Sequence, residues 1–272
     1  MNNPYQKSIC ALGAVYEGDN PEYLNECLIS LTNQTISIPI FIVIDGPISD
    51  SLQKKLQEYN HLGINFIRLD RNMGLAKALS HAVQQLRHKF EYIIRFDADD
   101  INMPDRFEKL QKYISNYKPD LVSSHMFEID ENGKVFSERR VPIKTTEIKK
   151  KMPYRNPINH PASAFKISSV LEVGGYQEMP FFEDWYLWIR MQNADFKIEN
   201  IDEFLVSFRA TDEMVARRYG ISYVKHETNF FLSRSKENLI NPIQNWSAFL
   251  ARLLAKLFGF KIYKKIFYWM RR

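Results

Sequence analysis

The chain is predicted to fold as an α/β protein, with a mostly parallel central sheet, helices on both faces, and a basic amphipathic helical tail. Strand-like and helix-like runs alternate as far as Leu110, the pattern of βαβ units. One run, IPIFIVID (38–45), is continuously apolar and rich in β-branched residues, as expected of a strand buried on both faces. The third observation is residues 238–272, which combine cations, leucines and aromatics without a single acid.

The elements follow in order. KSICALGAV (7–15) reads as the first strand. PEYLNECLISLTNQT (21–35) reads as a helix, with Pro21 in its first turn and Tyr23, Leu24, Cys27, Leu28 and Leu31 at helical spacing. After the second strand at 38–45 come a helix (SDSLQKKLQEYN), a strand (INFIRL), a helix (GLAKALSHAVQQL) and a fourth strand (EYIIRFD). Pro104 is expected to open a helix whose Phe107, Leu110, Ile114 and Tyr117 face the core. DLVSSHMFEIDENGKVFSERRVP reads as a hairpin turning at Asn132-Gly133. A helix follows around KTTEIKKKM, and another begins at Asp184. The domain is expected to span 1–210, with a helical region at 211–272 and a membrane-surface tail at 245–272.

Composition narrows the function. At 272 residues, 45% of them apolar and 14% aromatic, the chain can bury a substantial core and is not a disordered protein. Cys10 and Cys27 lack metal-type spacing and read as buried small residues in a reducing compartment. The first residues lack the character of a secretory signal, and no apolar run reaches bilayer length, so a cytoplasmic location is expected. The net charge is +5, yet Arg252, Lys256, Lys261, Lys264, Lys265, Arg271 and Arg272 alone contribute more than that, leaving the rest mildly acidic. A nucleic-acid partner is therefore not expected. Tail aromatics such as Trp246, Phe249, Phe260, Phe267 and Trp269 suit an interfacial helix pair, broken near Gly259, on an anionic bilayer. The competing reading is a helix packed on the domain with a solvated basic face.

Ligands of such sheets bind beyond the carboxyl ends of the strands. Asp45, the loop Asp70-Arg71-Asn72-Met73-Gly74, and Asp97-Ala98-Asp99-Asp100 all fall there. Carboxylates this close repel and need compensation. A calcium loop fails, because Ile101 and Asn102 occupy positions needing a ligand and a glycine, and a strand precedes the loop. Strand termination or helix capping explains one aspartate, not three. A divalent cation on a phosphorylated ligand explains them better: Mg²⁺ or Mn²⁺ takes one or two carboxylates and stabilises a departing diphosphate. Arg71 could add a bidentate contact.

The stretches NPEYLNECLISLTNQT, VIDGP, RLDRNMGLAKAL, RFDADDINMPDRFEKL, RNPINHPASAFK, VGGYQ, FFEDWYLWIRM and ARRYG, in this order, cover about residues 8–225. In them the chain resembles the family-2 glycosyltransferases of the GT-A fold, in the branch of amylovoran-type exopolysaccharide enzymes. The resemblance implies inverting transfer from a nucleotide-diphosphate sugar. It implies that Asp45 bonds the nucleobase, usually uracil, that Asp97 contacts ribose or sugar, and that Asp99 holds Mn²⁺ or Mg²⁺. Val15, Glu17, Arg71, Asn72, Gly74, Lys77, Ala98 and His160 are implied on the donor side. Asp184 is implied as general base, with Glu183 beside it. Single-step inversion needs one such carboxylate on the acceptor side; a helix N-cap is the plainer role for Asp184. Trp185, Tyr186 and Trp188 read as core. Arg209, Arg217 and Arg218 match a mobile loop that could close over diphosphate or a lipid-linked phosphate, an exposed helical face being the plainer reading, and His226 is a possible further metal ligand.

The expected function is metal-dependent transfer from a nucleotide sugar, UDP-linked first, to a lipid-linked or growing surface-polysaccharide acceptor at the inner face of the cytoplasmic membrane. A pyrophosphorylase would need a glycine-rich basic signature where ALGAVYEGDNPEY stands. A non-catalytic, membrane-attached nucleotide- or glycan-binding subunit is the alternative from another class.

Overall fold

A computed structural model describes residues 8–271, with side chains to 268. Lys7, most of the N-terminal stretch and Arg272, like the side chains of Trp269 and Arg271, lie outside what is described. The first half alternates as the sequence predicts: β1 (Ile9–Val15), α1 (Pro21–Thr32), β2 (Ile40–Asp45), α2 (Asp50–Glu58), β3 (Asn65–Leu69), α3 (Leu75–Leu86) and β4 (Tyr92–Arg95). The second half adds β5 (Ile101–Asn102), α4 (Arg106–Tyr117), β6 (Leu121–Ile129), β7 (Val135–Arg139), α5 (Thr145–Lys151), β8 (Ala164–Lys166), α6 (Ile167–Glu172), α7 (Glu183–Asn193) and β9 (Ile198–Arg209). Helices α8 (Asp212–Ala216), α9 (Ile221–Lys236), α10 (Pro242–Leu257) and α11 (Phe260–Arg271) complete it.

Among the described residues one sheet runs β3-β2-β1-β4-β8-β6-β9-β5, with β7 paired to β6. The β3-β2-β1-β4 half is parallel. The other half is mixed: β8 is antiparallel to both β4 and β6, while β6 and β9 run parallel. Apolar layers cover both faces. Leu24 and Leu28 of α1, Leu52 and Leu56 of α2, and Phe107 and Leu110 of α4 pack on one. Leu79 and Val83 of α3, Val170 of α6, and Trp188 of α7 pack on the other. Burial of the β2 run on both faces follows from this sandwiching.

Asn20 caps α1 by accepting from the Glu22 and Tyr23 amides, with Pro21 in the first turn. Helix α4 begins two residues after Pro104, and Tyr117 at its end is exposed, contrary to the core role expected of it. The Asn132-Gly133 hairpin joins β6 to β7 as expected, with Gly133 at φ 79°. Strand β9 was not read from the sequence, because register shifts against β6 around His125 break its alternation.

The tail breaks at Gly259 (φ 79°) as predicted, and its helices pack on the domain. Asn245 and Ala248 are buried, and Phe249 meets Phe231 of α9. Arg252 Nε and Lys256 Nζ lie 2.5 and 2.7 Å from the fully buried Glu227 carboxylate. Two of the tail's cations therefore face inward. The outer face of α10 is apolar instead, exposing Ile243, Trp246, Leu250, Leu254 and Leu257. Among the described residues no helix is long and apolar enough to cross a membrane.

Replacing Glu227 with Ala strands two desolvated cations and is expected to destabilise the chain by about 3 kcal/mol or more. Urea denaturation followed by circular dichroism reads this. An unchanged midpoint would mean that apolar contacts alone seat α10.

Candidate active site

The carboxyl ends of β1, β2 and β4 and the loop after β3 surround a cleft of about 430 Å³. Asp45, at the end of β2, accepts from the Met73 and Gly74 amides at 2.7 and 2.9 Å, one on each carboxylate oxygen. Gly46 permits this approach, since a Cβ there would stand 2.3 Å from the Asn72 nitrogen. Gly74 (φ 83°) then turns the loop into α3. Asp45 thus braces the loop while still lining the cleft, and each oxygen keeps a lone pair for a ligand.

The acid-rich loop after β4 is held from beneath. Arg95, buried, places Nη2 2.5 Å from Asp97 Oδ1. Asp100, also buried, accepts from the Arg209 amide at 2.9 Å. Arg209 binds the Asp99 carbonyl through Nε and the Asp130 and Glu131 carbonyls through Nη1, and pairs with Glu26 through Nη2. Asp99 remains half-buried beside the cleft. Burial, then the Asp97 charge, pushes its carboxyl up to about 6. Asp19, which accepts from the Tyr16 amide, is raised to about 7 by burial, with Asp99 and Asp97 adding to it.

The donor side therefore gathers Val15, Asp45, Asn72, Gly74, Asp97, Ala98 and Asp99. Glu17, Arg71 and Lys77 are exposed and outside the cleft lining. Lys77 pairs with Glu178 at 2.8 Å. Asp19 takes the inward place that Glu17 was expected to fill; it lies in the same YEGDN turn and is the signal the sequence offered. Arg209 is no part of a mobile loop, being buried at the end of β9. Arg217 and Arg218, in contrast, line the cleft. His226 packs on Phe181, away from it.

A second compartment of about 440 Å³ shares Gly74, Asp97 and Arg218 with the first, and holds His160, Glu183 and Asp184. Asp184 lies in the first turn of α7 and is not its N-cap, which is Phe182. Its Oδ1 accepts from the Trp185 amide and its Oδ2 from Asn156 Nδ2, both at 2.7 Å. Burial raises its carboxyl to about 6. Glu183 is raised to about 7 by burial and the Asp184 charge, and its Oε2 has no hydrogen-bond partner. His160 Nε2 bonds the Tyr176 hydroxyl at 2.8 Å, and burial keeps the ring neutral. Trp185, Tyr186 and Trp188 are core, as expected.

The two compartments thus adjoin, with Asp19 and Asp99 lining the first, Glu183 and Asp184 the second, and Asp97 both. The model of "Glycosyl transferase family 2" matches residues 14–174. The chain belongs to that family. It is 32% identical to an amylovoran biosynthesis glycosyltransferase, AmsE of Erwinia amylovora, over 92% of this chain and 94% of the relative. It is 33% identical to an Escherichia coli UDP-Gal:alpha-D-GlcNAc-diphosphoundecaprenol beta-1,3-galactosyltransferase over 94% of each. The fold superposes, at TM-score 0.64 and 14% identity, on the Pyrobaculum calidifontis mannosyltransferase PcManGT solved with GDP-Man and Mn²⁺, covering 91% of this chain and 70% of that one. This family-2 glycosyltransferase is an enzyme of the GT-A architecture with a helical C-terminal extension.

Among the described residues no three His, Cys, Asp or Glu side chains cluster to hold a metal unaided. That fits a Mg²⁺ or Mn²⁺ site completed by substrate phosphate, which draws only one or two ligands from the protein. Burial is the larger cause of the raised Asp99 and Asp19 carboxyls, and the neighbouring carboxylates add a part that a cation would relieve.

The sign of the Glu183 shift makes a stability prediction. Its folded pKa lies above its unfolded value of 4.5, so the folded state holds the extra proton and loses stability as pH rises from about 4.5 through about 7. Glu183→Gln is expected to match the native chain at pH 4 and to exceed it by roughly 1–3 kcal/mol at pH 8. Thermal unfolding at both pH values decides it; a gap independent of pH would contradict the burial of this charge.

Proposed function

We propose that this family-2 glycosyltransferase performs metal-dependent, inverting transfer from a UDP-sugar to a hydroxyl of a lipid-linked or growing surface-polysaccharide acceptor. The observation that carries it is the continuous cleft joining Asp97 and Asp99 to Asp184. Asp99 would hold the cation, with Asp97 and the Asp45-braced loop along the nucleotide, and Arg217 or Arg218 across the diphosphate. A bound Mg²⁺ or Mn²⁺ would supply neutralisation of the departing diphosphate. Asp184, at the other end, would take the acceptor proton. Its carboxyl, fixed by Asn156 and the Trp185 amide and raised to about 6, has a basicity suited to that task near neutral pH.

The amylovoran-type branch and a surface-polysaccharide product are supported by the name of the first relative, and a UDP-linked donor and lipid-linked acceptor by that of the second. In the same reading residues 1–210 form the donor-binding and catalytic unit, and residues 211–272 the helical region. The exposed apolar face of α10 would rest on the inner surface of the cytoplasmic membrane.

Two variants separate the roles. Asp184→Asn is expected to lower kcat by about 10²–10⁴-fold while leaving UDP affinity within about twofold. Equal loss of both would sink the base assignment. Asp99→Ala is expected to weaken Mn²⁺-dependent UDP binding, read by calorimetry with and without chelator, by about tenfold or more. If wild type binds UDP without consuming any UDP-sugar, the chain acts as a binding subunit.

A further inference from the structure

His160 lines the second compartment with Asp97, Glu183 and Asp184, whereas Tyr176, to which it is bonded, lies behind that lining. Aromatic rings enclose the pair: Trp188 stands 6.1 Å from the His160 ring, and Phe165 and Trp188 stand 6.2 and 6.5 Å from that of Tyr176. Both residues are also fixed through their backbones. Ser163 donates to the His160 carbonyl from its amide and from its hydroxyl. The Gly174-Gly175 turn before Tyr176 is clamped by Arg190, which donates to the Val173 and Gly175 carbonyls, and Ser80 Oγ of α3 donates to the Tyr176 carbonyl at 2.9 Å.

Counting donors decides where the imidazole proton sits. The Tyr176 hydroxyl is buried, and the one partner it has among the described residues is His160 Nε2, at 2.8 Å. Burial pushes the phenol above its usual range, against the Arg95 charge and with those of Asp184, Asp97 and Glu183, so the proton stays on its oxygen. A phenol carries one O–H, and a buried O–H without an acceptor is costly, so it is given to Nε2. A ring nitrogen that accepts carries no proton of its own. The ring as a whole is neutral, because burial, and then the Arg95 charge, hold it well below the usual histidine range. Its N–H is therefore on Nδ1, which has no protein partner among the described residues. His160 is only 8% exposed, and an N–H left unbonded in such a wall calls for a ligand oxygen.

We propose that Tyr176 is a positioning residue: its hydroxyl, bonded to His160 Nε2, fixes the ring proton on Nδ1 and holds that N–H for a hydroxyl oxygen of the transferred sugar. The compartment runs from Asp97, which also lines the donor cleft, to Asp184, and that is the place of the sugar in the transfer proposed above, on which this contact rests. A donor fixed in this way selects by hydroxyl orientation. An epimer whose hydroxyl points elsewhere leaves the buried N–H unpaired again.

Long-range ¹H–¹⁵N NMR of the full chain labelled at histidine reads the tautomer directly, with His160 assigned by the signal that His160→Ala removes. The wild-type ring is expected to carry its proton on Nδ1 and to stay neutral over about pH 5–8, and Tyr176→Phe to show both tautomers. Calorimetry with Mn²⁺ then compares UDP with UDP-glucose, UDP-galactose and UDP-N-acetylglucosamine. For the UDP-sugar that wild type binds most tightly, Tyr176→Phe should lower affinity relative to UDP by about three- to tenfold, while UDP itself stays within about twofold. His160→Ala should lose a similar factor and the double variant no more, since both changes remove one contact. A wild-type proton on Nε2, unchanged sugar affinity in a folded Tyr176→Phe chain, or additive losses would each overturn the positioning role. Weakening of UDP by the same factor would move the contact to the diphosphate and overturn the sugar assignment. Because the tautomer is read without ligand, a chain that binds no UDP-sugar while the Nδ1 proton stands faults the UDP-linked donor proposed above, and the sugar contact with it.

Discussion

The acid loop after β4 keeps its shape because a buried guanidinium holds the segments around it. Arg209 closes β9 and, from that single position, bonds the Asp99 carbonyl, the β6–β7 turn and Glu26 of α1, while its own amide binds Asp100 and its guanidinium lies 4.0 Å from the Tyr23 ring centre. Arg106, beneath, donates to the Arg95 and Pro161 carbonyls. With the Arg209 donors engaged inside the protein, Asp97 and Asp99 can face the cleft without a local cation neutralising both. The charge that repels within the loop is thereby available to a ligand. A buried cation of this kind adds little net stability once its own desolvation is counted; what it fixes is geometry.

Charge is ordered along the cleft. Asp19, Asp97 and Asp99 stand at one end, Glu183 and Asp184 in the middle, and beyond them a chamber lined by arginines and by α10 and α11. The two acidic groups differ in what surrounds them. The Asp99 shift owes its second part to a neighbouring carboxylate, which a cation would reverse. The Asp184 shift is set first by burial, opposed by two hydrogen bonds and the nearby Arg139 charge, with the Asp97 charge adding a smaller upward push. Neighbouring charge thus weighs more on Asp99, and fixed hydrogen bonds more on Asp184.

The parallel half of the sheet was legible because its signals are local: alternating runs, Pro21 at a helix start, and the unbroken β2 run. The antiparallel half was not. Strands β5 and β8 have two and three residues, too few to carry a period, and they form because β9 and β4 offer edges to pair with. The acids at strand ends could be gathered from topology alone, which is why Asp45, Asp97 and Asp99 share a cleft. Side-chain direction within a turn could not, so Glu17 was named where Asp19 points inward. Arg209 shows the same limit, since nothing in SFRATDE distinguishes a buried clamp from an exposed loop cation.

The tail shows how far composition can carry an argument about surfaces. A count of its cations and aromatics describes an amphipathic helix, but not which face meets the protein. Glu227, fully buried on α9, settles that for α10 by drawing Arg252 and Lys256 inward. Once they are committed, the residues left outward are Ile243, Leu250, Leu254 and Leu257, and the usual order of a surface helix is inverted. An apolar outer face on a helix whose inner face walls the chamber beside Asp184 couples two properties that could have been separate. The same helix thus carries the exposed apolar residues on one side and lines the chamber beside Asp184 on the other.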